Sequence, residues 1–408
     1  MDNLDVTTKK VKIVLKVGDK INILDKLKIK CNEKFKYNII DAKIISVDNN
    51  YIVTALKKGS TYIEMFFMNN KTPNYIIKIN VLNNAIETDI DDKNLSVVNI
   101  CSNKYTYDIL KNDINELCCI YNDILNYEIL GKSYDNRNIY LLTLGNKYAK
   151  HILFIQASMH GREHMASMLV MRHIELICKN YYISEYKGIK ISGILENIKI
   201  CIVPMSNPDG VDISINGAEV IREKSLFNNI SKVIEENNIH HEIWKSNARC
   251  VDLNRNFGCK WQYNYNFNKK SFMEYRGQYP ESETETRLIA NWTRENRPDI
   301  CISYHATGSE LYWDYGQKGL LLNKSMVIRD YLKDFTQYEL MDRSSSYKTG
   351  VLGYSDWVSM YLGIPAFTIE IGSPFVTAPL SKEEFNNIWE ENKFIPIELC
   401  RYVVNNIN

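Results

Sequence analysis

A histidine and a glutamate lie three residues apart in the phrase MHGREH, directly after the apolar run ILFIQAS. At this spacing, in a turn or in the first turn of a helix, His160 and Glu163 point the same way and can reach one cation. The same pattern also fits a helix N-terminus with an acidic residue near its positive end. The pair therefore needs a further ligand elsewhere in the chain before it predicts a metal site.

Two more polar residues stand at the ends of apolar runs. His305 follows the run in ISYHATG, and Glu370 closes the run in PAFTIEIG, where an unpaired buried carboxylate would be costly. In open α/β sheets the ligand crevice lies outside the carboxyl ends of the strands, so these ends point to one place. Two histidines and one glutamate predict a catalytic zinc held by His160, Glu163 and His305. Glu370 is then the natural base for the water that such a metal activates.

An amide and a guanidinium are adjacent in WKSNARCVDLNRNF, at Asn254 and Arg255. A planar guanidinium beside an amide suits bidentate recognition of a substrate carboxylate. The alternative is a structural loop arginine paired with Asp252. The nearby phrase SNPDGVD, residues 206–212, indicates a tight turn, to which we assign no chemical role.

Strands and helices must position these residues, and the hydrophobic pattern that predicts these elements changes along the chain. Residues 10–82 read as short alternating strands with turn residues between them, which predicts a small all-β sandwich over residues 1–84. Residues 85–97 turn acidic and polar and are predicted to be a linker. From residue 98 to residue 408, apolar strands alternate with helical spacing, which predicts an α/β domain.

Within the α/β domain the strongest runs predict four strands and four helices. The predicted strands cover residues 152–158, 199–203, 299–304 and 366–370, and the predicted helices cover residues 165–180, 283–296, 321–335 and 382–405.

The amino-acid composition excludes several classes of protein. The 408 residues carry 50 Lys plus Arg against 49 Asp plus Glu, so a net charge of +1 gives no basic field for nucleic acid. The 45% hydrophobic content excludes intrinsic disorder, and no run approaches the ~18 apolar residues of a membrane helix. The ten cysteines include no CxxC pair, which favours reduced thiols over a disulfide framework.

The motifs HGRE, NPDG, DLNRNF, SYH and FTIE occur here in the order typical of zinc metallocarboxypeptidases. Residues 100–408 therefore resemble the carboxypeptidase A-like family. This resemblance implies a mixed central sheet flanked by helices, a zinc-dependent peptidase activity, and the roles already suggested for the zinc ligands, for Glu370 and for the Asn254–Arg255 carboxylate clamp. It also implies a substrate contact from Arg162.

Longer phrases are similar to the bacterial γ-D-glutamyl-L-diamino acid (meso-diaminopimelate) peptidases, which trim peptidoglycan stem peptides. They include RGQYPESETETR, SYHATGSELYWDYGQ and GYSDW. The likeness implies a peptidoglycan stem peptide as substrate, cut at the γ-D-Glu/diamino acid bond. In the N-terminal part, the phrase YIVTALKKGSTYIEM resembles bacterial immunoglobulin-like domains of surface proteins, which implies possible cell-wall contact.

Two positions depart from the family pattern. Where the family places an arginine beside the developing oxyanion, this chain has Lys245, with Arg249 four residues on, and either cation could serve. The family's mobile tyrosine is expected a few residues before GYSDW. Tyr347 is nearest, although direct counting reaches Lys348.

Three alternatives to the stem-peptide enzyme remain open at this point. They are a general metallocarboxypeptidase, an aspartoacylase-like deacylase of N-acyl amino acids, and an inactive scaffold that binds cell wall. No secretory signal is visible at the N-terminus, which predicts a cytoplasmic location. A cell-wall or spore-associated location is the alternative.

Overall fold

The N-terminal part contains two small β-sheets that face each other. The computed structural model describes residues 8–29, 34–67, 70–83, 86–263, 268–341 and 352–406. The first seven strands are β1 Lys9–Lys16, β2 Lys20–Asn22, β3 Phe35–Ile39, β4 Ile45–Val47, β5 Ile52–Ala55, β6 Gly59–Phe67 and β7 Tyr75–Leu82, with the short helix α1 at Ile23–Leu27. One sheet has the order β1-β7-β6-β3 and the other β2-β5-β4.

Alternation along these strands builds the small core. In β6, Thr61, Ile63 and Met65 are buried while their neighbours are less so, because successive side chains point to opposite faces of a sheet. Residues such as Ile45, Val53 and Ile77 fill the space between the sheets. The predicted N-terminal β region is confirmed, and its kinship with immunoglobulin-like domains stays a prediction.

The larger part of the chain is an α/β unit with an eight-stranded sheet of order β16-β15-β17-β14-β10-β13-β9-β8. The remaining strands are β8 Leu125–Lys132, β9 Asn138–Leu144, β10 His151–Ala157, β11 Glu185–Tyr186, β12 Ile189–Lys190, β13 Ile198–Val203, β14 Ile300–Ala306, β15 Glu310–Tyr312, β16 Glu339–Met341 and β17 Ala366–Ile371. The pairs β13/β10, β10/β14 and β14/β17 are parallel, and β8/β9, β9/β13 and β15/β17 are antiparallel. The mixed central sheet predicted from the resemblance is therefore confirmed.

Helices cover both faces of this sheet. They are α2 Tyr107–Ile120, α3 His164–Asn180, α4 Ile191–Ile194, α5 Pro208–Asn216, α6 Lys224–Asn237, α7 Thr284–Asn296, α8 Gly319–Thr336, α9 Tyr354–Trp357, α10 Phe385–Asn392 and α11 Ile395–Asn405. Since both faces are covered, β14 is buried along its whole length and reads as an apolar run. Among the described residues, no helix is both long and apolar enough to cross a membrane.

One predicted helix is wrong in its extent. The single helix expected over residues 382–405 is divided into a short 3₁₀ turn at Lys382–Glu384 and the two helices α10 and α11. Pro396 lies in the first turn of α11, where its missing N–H costs nothing, whereas inside a continuous helix it would remove a hydrogen bond. The break therefore follows from the proline.

The segment that follows the β sandwich lies against the α/β unit. The carboxylate of Glu175 in α3 accepts the backbone N–H groups of Ser96, Val97 and Val98. Further back, the Asp91 N–H donates to the side chain of Asn180. The predicted linker is thus held by hydrogen bonds, and the domain boundaries stay a prediction.

Candidate active site

The chain leaves β10 through a tight loop that places two polar side chains together. His160 precedes a 3₁₀ turn at Gly161–Glu163, and α3 begins at His164. A Cβ on Gly161 would lie 2.2 Å from the carbonyl oxygen of Gly210, so a larger residue would push the two loops apart. Only glycine allows the HGRE turn to rest on the NPDG turn at this distance.

The structure brings His160, Glu163 and His305 to one point. Glu163 Oε1 lies 2.7 Å from His160 Nδ1, and Glu163 Oε2 lies 2.9 Å from His305 Nδ1. The two Nδ1 atoms are 3.2 Å apart, and all three side chains are buried. Burial alone would raise the pKa of Glu163, but the two imidazoles hold it below its usual range.

This donor set fits a zinc ion. Ligand atoms on a tetrahedral zinc at ~2.0 to 2.1 Å stand about 3.3 Å from each other, close to the observed separations. Imidazole nitrogen and carboxylate oxygen are both ordinary zinc ligands, and these atoms all lie within 4.8 Å of one another. His160, Glu163 and His305 are therefore the residues that would hold the metal.

The sequence analysis did not assign Asp252 to the metal site. Asp252 Oδ1 lies 3.2 Å from His160 Nε2, on the side of the ring away from Glu163. Burial opposes ionisation of Asp252, yet His160 and then Arg255 lower its pKa well below the usual range. A carboxylate on the second nitrogen of a ligand histidine fixes the tautomer and the orientation of the ring. Asp252 precedes Arg255 by three residues, but its carboxylate lies against the His160 ring.

Glu370 stands beside the cluster because β17 pairs in parallel with β14. His305 and Glu370 are register partners in this pair. Burial raises the pKa of Glu370 to about 7, with Glu163 and Glu310 adding to the shift and His305 and Lys245 opposing it. A bound divalent cation would also oppose the shift. A carboxyl group with such a pKa can take up and release a proton near neutral pH.

The two candidate cations differ in their surroundings. The Lys245 charge acts on both Glu370 and Asp252, which places it at the site. Arg249 donates to the Tyr134 hydroxyl at 2.6 Å, packs on the Tyr134 ring, and lies 3.7 Å from the Glu283 carboxylate. The structure therefore turns Arg249 toward a neighbouring loop, while the Lys245 charge is near enough to lower the pKa of both acidic groups.

The amide and guanidinium pair lies on a 3₁₀ turn at Leu253–Arg255. Asn254 Oδ1 accepts the N–H of Tyr354, and a Cβ on Gly353 would approach this oxygen to 2.2 Å. Arg255 donates to the Asn254 carbonyl, while its buried Nε has no partner among the described residues. This nitrogen therefore has a hydrogen left to donate.

Arg162 and Tyr347 are the two remaining predicted site residues. Arg162 lies in the turn between His160 and Glu163, half-buried, and its Nε has no partner among the described residues. Tyr347 and Lys348 lie outside the described residues, so the identity of the mobile tyrosine stays a prediction.

Side chains of the NPDG phrase hold the backbone of two loops at the site in place. Asn207 caps α5 by accepting the Gly210 N–H, and its side-chain amide donates to the carbonyls of Met159 and Lys245. Asp209 is buried 2.9 Å from the Arg137 guanidinium. The sequence analysis read only a turn here, although the Asn–Pro–Asp–Gly order itself indicates a capped helix start.

Two imidazoles and a carboxylate at the strand ends of a mixed sheet, beside a further glutamate, define a mononuclear metallohydrolase site. The sequence model of the family described as zinc carboxypeptidase matches residues 111–395. The chain therefore belongs to the zinc carboxypeptidase family and is a zinc metallopeptidase, as the sequence motifs predicted.

Individual relatives agree with this assignment. The γ-D-glutamyl-L-diamino acid endopeptidase 1 of Lysinibacillus sphaericus is 28% identical over 295 residues, which are 70% of this chain and 70% of the relative. Thrombin-activatable fibrinolysis inhibitor superposes with a TM-score of 0.59 at 20% identity, over 74% of this chain and 78% of that one. Carboxypeptidase A from Helicoverpa armigera gives 0.56 at 18% identity, over 78% of each chain. These structures share the fold.

Proposed function

We propose that this zinc peptidase hydrolyses peptidoglycan stem peptides at the γ-D-Glu/diamino acid bond. The observation that supports hydrolysis most directly is the meeting of His160, Glu163 and His305 beside Glu370. The similarity to a γ-D-glutamyl-L-diamino acid endopeptidase supports the substrate class.

The residues have separate roles in this reaction. When bound, zinc supplies a Lewis acid that polarises a carbonyl group and makes water more acidic. Glu370 accepts the proton of the attacking water and later delivers it to the leaving amine. Lys245 stabilises negative charge that develops on the carbonyl oxygen. Asn254, Arg255 and Arg162 hold the substrate, the first two through a carboxylate near the cleaved bond.

The surroundings of Glu370 favour a polar side chain in the substrate. Thr368 lies two residues before Glu370 on the same face of β17, and its Oγ1 is 2.8 Å from Ser355 Oγ and 3.3 Å from the Tyr315 hydroxyl. Ser355 adjoins Asp356, and the Arg255 charge lowers the pKa of Asp356 against a larger rise from burial. Polar groups beside the base suit a charged diamino acid better than an apolar side chain.

A second carboxylate can meet the extra ammonium group of a diamino acid. Glu310 in β15 is the other register partner of Glu370, and its partly exposed carboxylate accepts the Tyr312 hydroxyl at 2.9 Å. Glu310→Gln is expected to slow cleavage before diaminopimelate about 10-fold or more, and to spare a peptide whose side chain is neutral. An equal loss on both peptides would remove Glu310 from recognition.

The deciding experiment compares substrates at fixed zinc content. Zinc-loaded enzyme is offered a γ-D-Glu-diaminopimelate stem peptide, an ordinary α-linked peptide and an N-acyl amino acid, with His305→Ala as the metal-deficient control. The proposal requires the stem peptide to be cleaved most efficiently. Preference for the α-linked peptide, for the N-acyl amino acid, or for none of the three would indicate a general carboxypeptidase, a deacylase or an inactive scaffold.

Cellular location stays a prediction. A cytoplasmic enzyme would meet recycled wall fragments, and a wall- or spore-associated enzyme would meet intact stem peptides. In the second case the N-terminal β region would contact the wall. Fractionation of expressing cells distinguishes these locations.

A further inference from the structure

A lysine of the N-terminal β region is buried where this region contacts the α/β unit. Lys12 in β1 has a fully buried side chain, and its Nζ lies 2.7 and 2.8 Å from the two oxygens of Glu391 in α10. It also donates a hydrogen bond of 2.7 Å to the hydroxyl of Ser309. The ammonium group is thus held between a carboxylate and a hydroxyl, which are both acceptors for its hydrogens.

Ser309 joins the two strand ends that carry the site. It lies between β14, which ends just after His305, and β15, and its Oγ donates to the carbonyl of Gly372 at 2.5 Å. Gly372 is two residues beyond Glu370. A hydroxyl has one hydrogen, and here the Lys12 ammonium occupies the acceptor side while Gly372 receives the hydrogen. Lys12 therefore fixes the direction of this bond.

The other side of the lysine is equally constrained. Glu391 also accepts the Tyr338 hydroxyl at 3.0 Å and the Asn80 side-chain amide at 2.9 Å, and the Tyr338 ring lies under the Lys12 ammonium at 5.0 Å. Asn80 belongs to β7 of the same N-terminal sheet. Buried networks that are fully satisfied hold one arrangement, because any displacement leaves a polar group unpaired.

Another ion pair between β1 and α10 is exposed to solvent. Lys16, in the same strand as Lys12, pairs with Glu390 at 2.9 Å, but the two side chains are 46% and 33% exposed. This pair reaches neither Ser309 nor Gly372 in the described residues, and a solvated pair of this kind contributes little. It provides a matched control from the same strand and the same receiving helix.

We propose that Lys12 is a positioning residue for the active site, acting through Ser309 and Gly372 on the strand ends that present His305 and Glu370. This inference rests on the proposed function, since it takes these two residues as metal ligand and base. The N-terminal β region is then part of the catalytic framework, and its contact with the α/β unit sets the geometry of the site.

The test removes the bond to Ser309 without leaving a buried charge. Lys12→Met alone leaves the buried Glu391 carboxylate without its counter-ion, which can unfold the protein. The main variant is therefore Lys12→Met/Glu391→Gln. We expect kcat to fall about 10- to 100-fold with KM within about twofold, because small misplacements of reacting groups are that costly. Ser309→Ala should give a similar loss, and adding it to the double variant should lower kcat little further. Lys16→Met should keep wild-type kcat.

A readout that needs no substrate separates this inference from the proposed function. In protein loaded with Co²⁺, the visible spectrum reports the ligand arrangement. We expect Lys12→Met/Glu391→Gln and Ser309→Ala to shift this spectrum and Lys16→Met to leave it unchanged. Wild-type protein that cleaves none of the peptides would refute the proposed function, while the spectra would still test Lys12. Folded double variant with unchanged spectrum and kcat, or an equal effect in Lys16→Met, would overturn the role of Lys12.

Discussion

His305 and Glu370 are register partners on adjacent parallel strands, so the same ladder of backbone hydrogen bonds holds the proposed metal ligand and the proposed base side by side. Register partners project from the same face of a sheet. The distance between the two groups is therefore set by strand spacing, which varies little, and by whatever holds the strand ends. Each role assigned to the neighbouring residues can be tested by a substitution.

Replacing the carboxyl group of Glu370 tests the proton transfer. Glu370→Gln keeps the size and the hydrogen-bonding capacity of the side chain but cannot accept a proton. We expect kcat to fall on the order of 10²- to 10⁴-fold while one zinc per chain is retained, as measured by elemental analysis. Turnover near the wild-type rate would show that another group moves the proton.

Substituting the two candidate cations separately tests which one serves the developing oxyanion. Lys245→Ala is expected to lower kcat about 10²- to 10³-fold, as loss of an oxyanion donor does. Arg249→Ala should mainly disturb the contacts with Tyr134 and Glu283, and so affect the free energy of unfolding more than kcat. A larger loss of kcat in the arginine variant would reverse the assignment.

The carboxylate clamp is tested with paired substrates. Arg255→Ala should reduce kcat/KM about 10- to 150-fold on a peptide with a free carboxylate, which corresponds to ~1.5 to 3 kcal/mol for one charge-assisted pair. The amidated form of the same peptide does not use the clamp and should be affected little. Equal losses on acid and amide would make Arg255 structural and would favour cleavage that ignores the chain end.

A buried acid that has no role in the proposed reaction predicts a pH dependence of stability. Burial, together with the charges of Asp209 and Glu283, raises the pKa of Glu285 to about 8 against the hydrogen bond from Asn247. Between about pH 4.5 and pH 8 the folded protein keeps a proton that the unfolded chain has lost. The contribution of Glu285 to stability is therefore fully present below this window and is lost as pH rises through it.

Glu285→Gln removes this titration. The free energy of unfolding of the variant, relative to wild type, should rise with pH by up to about 1.4 kcal/mol per unit between pH 5 and pH 8. Urea unfolding at several pH values measures the difference. Glu295→Gln, an exposed position on the same helix α7, is the control and should show little pH dependence. A flat difference for Glu285→Gln would mean that this carboxyl group is ionised at neutral pH.

Local sequence was sufficient to predict a site residue where a polar side chain interrupts an apolar run. His160, His305 and Glu370 stood out because each lies at or just beyond the end of an apolar strand, and parallel strands deliver their ends to one edge. The choice between Lys245 and Arg249 could not be made in this way, since it depends on the path of a loop that turns one of them toward Tyr134. The contact of Asp252 with His160 joins loops 92 residues apart, and neither loop shows a local signal of the other.

The contact between Lys12 and Glu391 has a consequence for how the chain acquires its structure. The two residues are 379 positions apart, so Glu391 is synthesised long after Lys12. Until α10 has formed, the Lys12 ammonium must remain hydrated on the surface of a β region that is otherwise able to pair its own strands. Burial of this charge is therefore a docking step that must wait for α10. Slow or interrupted synthesis would leave the Lys12 side chain hydrated, whereas it is buried in the folded protein.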